Sequence, residues 1–201
     1  AKLCAGHGID SLKYEDDHVT VKGYASMQAA MPGITFVSLD NLPEKMRVVK
    51  DDGELALMQK AFDISCEAFD HILGFIKPGL SEKQIELALN FKMYELGAEA
   101  LAFNTIVASG PNGSLPHAIP GERKVESGDM ITLDFRAKYQ GYCADMTRTV
   151  AVGKPMDEMR RIYGIVLRAQ TTAQDALAAG KKCVDIDRIA RDILAGEGYG
   201  Q

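Results

Sequence analysis

Apolar and polar residues alternate one for one along Ile131–Tyr139. Ile131, Leu133, Phe135, Ala137 and Tyr139 fall on one side, and Thr132, Asp134, Arg136 and Lys138 on the other. This period of two predicts a strand with one buried face. A turn near Tyr139–Gly141 then leads to a second strand ending at Val152, in which Cys143, Asp145, Thr147 and Thr149 share a face. Upstream the period changes to that of helices. Asp51 or Asp52 can cap a long helix that runs to about Ile76 and stops at Pro78-Gly79. Ser81 and Gln84 form a capping box for a second helix, which ends at Glu95 and is closed by Gly97. A β run, Ala100–Ala108, and a Gly/Pro-rich loop, Ser109–Gly128, precede the hairpin. A third helix follows from about Pro155 to Ala178, ended by Gly180, and a fourth runs from about Asp185 to Gly196 or Gly198.

The first forty residues are thinner in pattern. A short helix over Val19–Met31 stops at Pro32-Gly33, and a strand spans Ile34–Leu39. One helix and one strand cannot enclose a core, so this segment reads as the tail of an N-terminal domain, with the junction near Asn41–Asp52. The helix pairs carry an internal echo. A shift of 101 superposes Gly79 on Gly180, Ile85 on Ile186 and Gly97 on Gly198. In the first copy a strand follows Gly97; in the second the counterpart would begin beyond Gln201. The expectation is therefore an incomplete chain whose sheet lacks one of its central strands.

The two strands put two carboxylates near each other. With Tyr139 and Gln140 as the central loop residues, Asp134 and Asp145 stand directly opposite, about 5 Å apart, where like charges destabilise a sheet. A cation between them, or a shared proton, would relieve that repulsion. A three-residue loop would instead pair Asp134 with Met146 and send Asp145 to the other face. Without further context, two solvated carboxylates on a hairpin are the default.

Composition narrows the partners. The 201 residues are 46% hydrophobic and 25% charged, with a net charge of −5, which argues against nucleic acid or an anionic membrane. No apolar run reaches membrane-spanning length. Cys4, Cys66, Cys143 and Cys183 are scattered without a CxxC pair, and read as free thiols in a reducing cytoplasm.

The loop and hairpin carry a longer pattern. SGPNGSLPHAIPGERKVESGDMITLDF followed by GYCADMTRTVAVG resembles the Xaa-Pro peptidases, meaning aminopeptidase P and Xaa-Pro dipeptidase. These belong to the creatinase/methionine-aminopeptidase superfamily. The resemblance runs from about Lys50 to Gln201 and implies an α+β pita-bread fold, two pseudo-symmetric ααβ halves around a curved antiparallel sheet. Here that fold would be incomplete: residues 49–201 are the N-terminal portion of the catalytic domain, and residues 1–48 the end of a creatinase-like N-terminal α/β domain with its linker. The resemblance also implies that Asp134 and Asp145 are metal ligands, Asp145 bridging, in a centre of two divalent ions. Mn²⁺ or Co²⁺ is expected, with Zn²⁺ the alternative, and the remaining His and Glu ligands lie beyond residue 201. His117 is expected to contact substrate and stabilise the tetrahedral intermediate. Arg136 departs from the family, which usually has Gly there; it could offset the charge of Asp134 or reach into solvent.

The implied activity is hydrolysis of Xaa-Pro bonds in dipeptides or peptide N-termini through a metal-bridged hydroxide. The setting is a cytoplasmic protein, homodimeric when complete, and the 201-residue chain alone is expected to be inactive. The alternative is a non-catalytic pita-bread module that binds peptides or proteins; such relatives usually lack the ligand carboxylates, which this chain retains.

Overall fold

The computed structural model describes residues 2–200 and divides into two compact units, 1–55 and 56–201. In the first, helix α1 (Lys2–Gly6) is followed by strand β1 (Ser11–Tyr14), helix α2 (Val21–Ala30), strand β2 (Thr35–Ser38) and helix α3 (Leu42–Val48). β1 and β2 are parallel, Ser11 opposite Thr35, with α2 as the crossover between them. The expected helix and strand are both present, trimmed by a residue or two at each end; Thr20 caps α2 by accepting from the Gly23 N–H at 3.1 Å. Three elements go beyond the sequence reading, the five-residue α1 among them. β1 is only four residues long, too short for alternation to single it out. α3 occupies the expected junction, starting after Asn41 in the left-handed region (φ 55°) with Pro43 in its first turn, and buries no residue.

The helices after α3 follow their caps, the first of them beginning in the first unit and running on into the second. Helix α4 (Asp52–Phe75) opens on a reciprocal pair, Asp51 accepting from Glu54 N–H at 2.8 Å and Glu54 accepting from Asp51 N–H at 2.7 Å. Helix α5 (Glu82–Glu95) opens on the Ser81/Gln84 capping box, with bonds of 3.2 and 2.9 Å. One face of each is buried: Ile64, Ala68 and Ile72 from α4, with Ile85, Leu89 and Met93 from α5, form a core with strand residues Val107, Ile131, Leu133, Phe135 and Met146. Each fully buried side chain of this size contributes about 1.5–3 kcal/mol. At the edge of this core the buried Ser65 hydroxyl accepts from Ala137 N–H at 3.2 Å, tying α4 to the sheet.

The strands are β3 (Ala100–Leu101), β4 (Ile106–Ser109), β5 (Met130–Phe135), β6 (Ala137–Tyr139), β7 (Tyr142–Cys143) and β8 (Met146–Ala151). All pair antiparallel, in the orders β4-β5-β8 and β3-β6-β7. The single expected run over Ala100–Ala108 is thus two strands. Leu101 faces Ala137 and Ile106 faces Asp134, so residues 102–105 bulge opposite only two residues, 135 and 136. Within the bulge Thr105 is buried, its hydroxyl donating to Asn90 Oδ1 at 2.6 Å.

The hairpin register also differs from the expectation. The central loop residues are Gln140 and Gly141, with φ of 47° and 85°, the positive values that the favoured two-residue type I′ turn requires. Tyr139 therefore faces Tyr142, and Asp134 faces Thr147 rather than Asp145. The loop still has two residues, so facing pairs keep the same parity and each residue keeps its face.

Helices α6 (Asp157–Asp175) and α7 (Cys183–Gly196) complete the unit. The shift of 101 carries the bounds of α5 onto those of α7. The punctuating glycines match in conformation too, Gly79 and Gly180 at φ 91° and 84°, Gly97 and Gly198 at 103° and 91°. Arg168 and Arg161 of α6 reach Glu197 at 2.6 and 3.5 Å, just after α7, and so pin the second helix pair. No helix among the described residues is long and apolar enough to cross a membrane.

Candidate functional site

With Ile131, Leu133 and Phe135 turned into the core, the other face of β5 carries Thr132 and Asp134, half-buried. Facing residues share a side, so Ile106 and Ala108 of β4 and Thr147 and Thr149 of β8 belong to this second face. Asp134 Oδ1 accepts from the Thr147 hydroxyl at 3.0 Å, and the Thr132 and Thr149 hydroxyls lie 3.3 Å apart.

Two residues further along the same register Arg136 meets Asp145, Nε to Oδ1 at 2.6 Å. Asp134 and Asp145 therefore lie diagonally on one face, a relation that puts Cα atoms about 7–8 Å apart. The Arg136 guanidinium also sits 4.0 Å from the centroid of the Phe103 ring, which the 102–105 bulge brings there. Arg136 thus offsets Asp145 and not Asp134. The Asp145 side chain remains 60% exposed. Arg148, of opposite parity, turns away and donates to the Thr147 carbonyl at 2.8 Å.

His117 lies apart from this pair in sequence, in an exposed turn where Ala118 N–H donates to the Leu115 carbonyl at 3.3 Å. Among the described residues it makes no hydrogen bond or ion pair to either aspartate. Its loop begins with a 3₁₀ turn, Gly110–Ser114, laid over the aspartate face: a Cβ built on Gly113 would be 4.0 Å from Thr132 Oγ1.

What holds this loop is a residue that the sequence did not single out. Glu82, the first residue of α5, is 1% exposed. Its carboxylate accepts from Ser109 N–H and Ser109 Oγ at 2.7 Å each, from Asn112 Nδ2 at 3.0 and 3.2 Å, and from Gly121 N–H at 3.2 Å. Burial alone pushes its pKa up; the donors from Ser109, Asn112 and Gly121 outweigh that, and the carboxyl lies below its ordinary range. Ser109 Oγ in turn accepts from Arg123 Nη1 at 2.6 Å, and Arg123 grips Asp129 with two bonds of 2.7 and 3.0 Å. Asp129 is likewise lowered, its desolvation outweighed by Arg123 and the Glu126 N–H. Gly110, at φ 50°, fits against this pair because it has no Cβ: one there would be 2.6 Å from Arg123 Nη2 and 2.7 Å from Asp129 Oδ1. An acidic residue in the first turn of a helix ordinarily reads as a dipole-favoured surface residue, and nothing in the local pattern marks Glu82 as buried.

A cleft of about 670 Å³ adjoins the same face at its far end, lined by residues including Met130, Thr149, Lys154, Arg160 and Tyr163. It includes neither aspartate. Among the described residues no group of three or more His, Cys, Asp or Glu side chains is placed to hold a metal ion.

Comparisons with known proteins agree with this architecture. The chain is 41% identical over 193 residues to an uncharacterized peptidase of Bacillus subtilis, covering 96% of this chain and 55% of the relative. The solved Xaa-Pro dipeptidase from Bacillus anthracis superposes with a TM-score of 0.96 at 41% identity, covering 100% of this chain and 56% of that one. The X-Pro aminopeptidase from Thermotoga maritima gives 0.93 at 37% identity, covering 99% and 56%. The chain spans about half the length of the curated relatives it matches. Its fold is the pita-bread arrangement that the hairpin motif implied. Since the model of metallopeptidase family M24 also matches residues 56–201, the unit holding both aspartates and the His117 loop, the chain belongs to that family.

Proposed function

We propose that the complete protein is a metal-dependent exopeptidase that cleaves Xaa-Pro bonds in dipeptides or at peptide N-termini. The observation that carries this reading is the placement of Asp134 and Asp145 on one face of a sheet whose other face is the core. Two carboxylates on one face suit a hard divalent ion such as Mn²⁺, with Co²⁺ and Zn²⁺ as alternatives. One oxygen of each is engaged within the chain, and the second makes no hydrogen bond among the described residues. Two donors are too few for a pair of ions, so the reading needs further ligands from elsewhere in the complete protein. When bound, such ions supply Lewis acidity toward water and the scissile carbonyl. Thr147 fixes the rotamer of Asp134, and the Glu82 network fixes the base of the loop from which His117 would donate to the developing oxyanion.

The test is hydrolysis of a Xaa-Pro dipeptide and of a longer peptide with proline second, by the complete protein stripped with chelator and then given Mn²⁺, Co²⁺ or Zn²⁺. Turnover restored by metal, and lowered about a hundredfold or more by Asp134→Asn or Asp145→Asn, is expected. Absence of turnover with all three metals, or full turnover without metal, would overturn it. The non-catalytic alternative draws on the 2.6 Å Arg136–Asp145 pair, a fixed cation where an ion would otherwise sit. It predicts peptide binding without cleavage.

A further inference from the structure

Arg136 is not a bystander to Asp145. The pairs on either side, Phe135 with Met146 and Lys138 with Cys143, bring the two residues opposite each other; the guanidinium Nε meets Oδ1 at 2.6 Å, and the planar cation is stacked 4.0 Å over Phe103. Asp134, two residues back on the same face, takes its hydrogen bond from a neutral hydroxyl, that of Thr147, instead. The two carboxylates thus differ in kind: one is already matched by a positive charge from its own chain, the other is not. An incoming divalent ion meets no fixed cation paired to Asp134, but at Asp145 it must displace or repel a guanidinium. Phe103 makes displacement feasible, because the aromatic face holds the guanidinium whether or not the carboxylate is its partner.

We propose that Arg136 is a tethered competitor for the metal at Asp145: it holds the carboxylate when no divalent ion is bound, is displaced when one binds, and so weakens the affinity of that position. This rests on the reading of Asp134 and Asp145 as metal ligands. It goes beyond that reading by making the two halves of the ligand pair unequal, with Asp134 the point of first capture.

The experiment is calorimetric titration of Mn²⁺ into the chelator-stripped complete protein and its variants, with free Mn²⁺ counted by electron paramagnetic resonance. Arg136→Gly and Arg136→Gln are expected to bind Mn²⁺ about tenfold more tightly, the sum of a lost exposed ion pair and a lost like charge. Arg136→Lys, which keeps the charge, should remain within about threefold of wild type. Arg136→Gln preserves side-chain length in case Arg136→Gly misfolds. Unchanged or weaker binding in both neutral variants overturns the proposal. If Asp134→Asn and Asp145→Asn weaken binding while the Arg136 variants do not, the ligand reading survives and only the competitor role falls. If Asp134→Asn and Asp145→Asn bind as wild type does, or if neither wild type nor any Arg136 variant binds Mn²⁺, both fall. Binding seen only in the neutral Arg136 variants supports the proposal in its strongest form.

Discussion

Glu82 and the Asp134/Asp145 pair lie in the same unit and differ in almost every other respect. Glu82 is buried, its two oxygens taken up by five hydrogen bonds from Ser109, Asn112 and Gly121. Each aspartate is partly exposed and has one oxygen engaged, by Thr147 or by Arg136. A carboxylate saturated by its own chain has nothing left to offer a ligand, and its work is structural. One left half-satisfied at a surface costs little to keep and retains lone pairs for something else. Carboxylate count alone would rank these groups equally; counting free oxygens separates them.

The sharpest way to break this contrast is to remove the saturated group. Glu82→Ala leaves the buried Ser109 N–H and hydroxyl, and the part-buried Gly121 N–H and Asn112 amide, without their acceptor, and should cost about 3–5 kcal/mol of unfolding free energy. Chemical denaturation of the complete protein would measure it; a loss under 1 kcal/mol would mean that the network is ornamental.

A smaller effect should appear with pH. Glu82 and Asp129 are both lowered in the folded protein. A lowered carboxylate contributes stability that is fully present above its unfolded pKa, about 4, and is lost as pH falls through the folded value. Glu82→Gln and Asp129→Asn should therefore be destabilised most near neutral pH and converge on wild type in acid. Parallel stability–pH curves for variant and wild type would contradict the assignment.

The smallest effect is expected on the open face. Asp134→Asn should change stability by no more than about 0.5 kcal/mol, since the amide oxygen can still accept from the exposed Thr147 hydroxyl, yet the loss of charge should weaken Mn²⁺ binding. A large stability loss there would erase the distinction between the two regions.

The sequence made some of this plain. The Ser81/Gln84 box and Gly97 set the limits of α5 because the caps are local and chemically specific. The faces of Asp134 and Asp145 followed from parity. The register did not, because Tyr139–Gln140 and Gln140–Gly141 are both two-residue loops, and only the Gly φ of 85° decides between them. The break between β3 and β4 was hidden for a different reason: Phe103 and Thr105 are β-prone and bridge two apolar runs, while residues 102–105 have no facing partner in register. Glu82 was least legible of all, since its partners lie 27 to 39 residues away and burial of a charge leaves no periodic trace.

The bulge at 102–105 also constrains how this sheet can change over evolutionary time. It adds two residues relative to the facing strand, and two is the repeat of the pleat. Insertions or deletions in pairs would leave every downstream side chain on its own side. A single-residue indel carried into β4 would exchange its faces against β5, turning Val107 toward the aspartates and Ile106 into the core, whereas one taken up within the bulge would not. Length variation at this point should therefore come in even steps or be confined to the bulge, a rule of descent written by the backbone and indifferent to which residues are gained or lost.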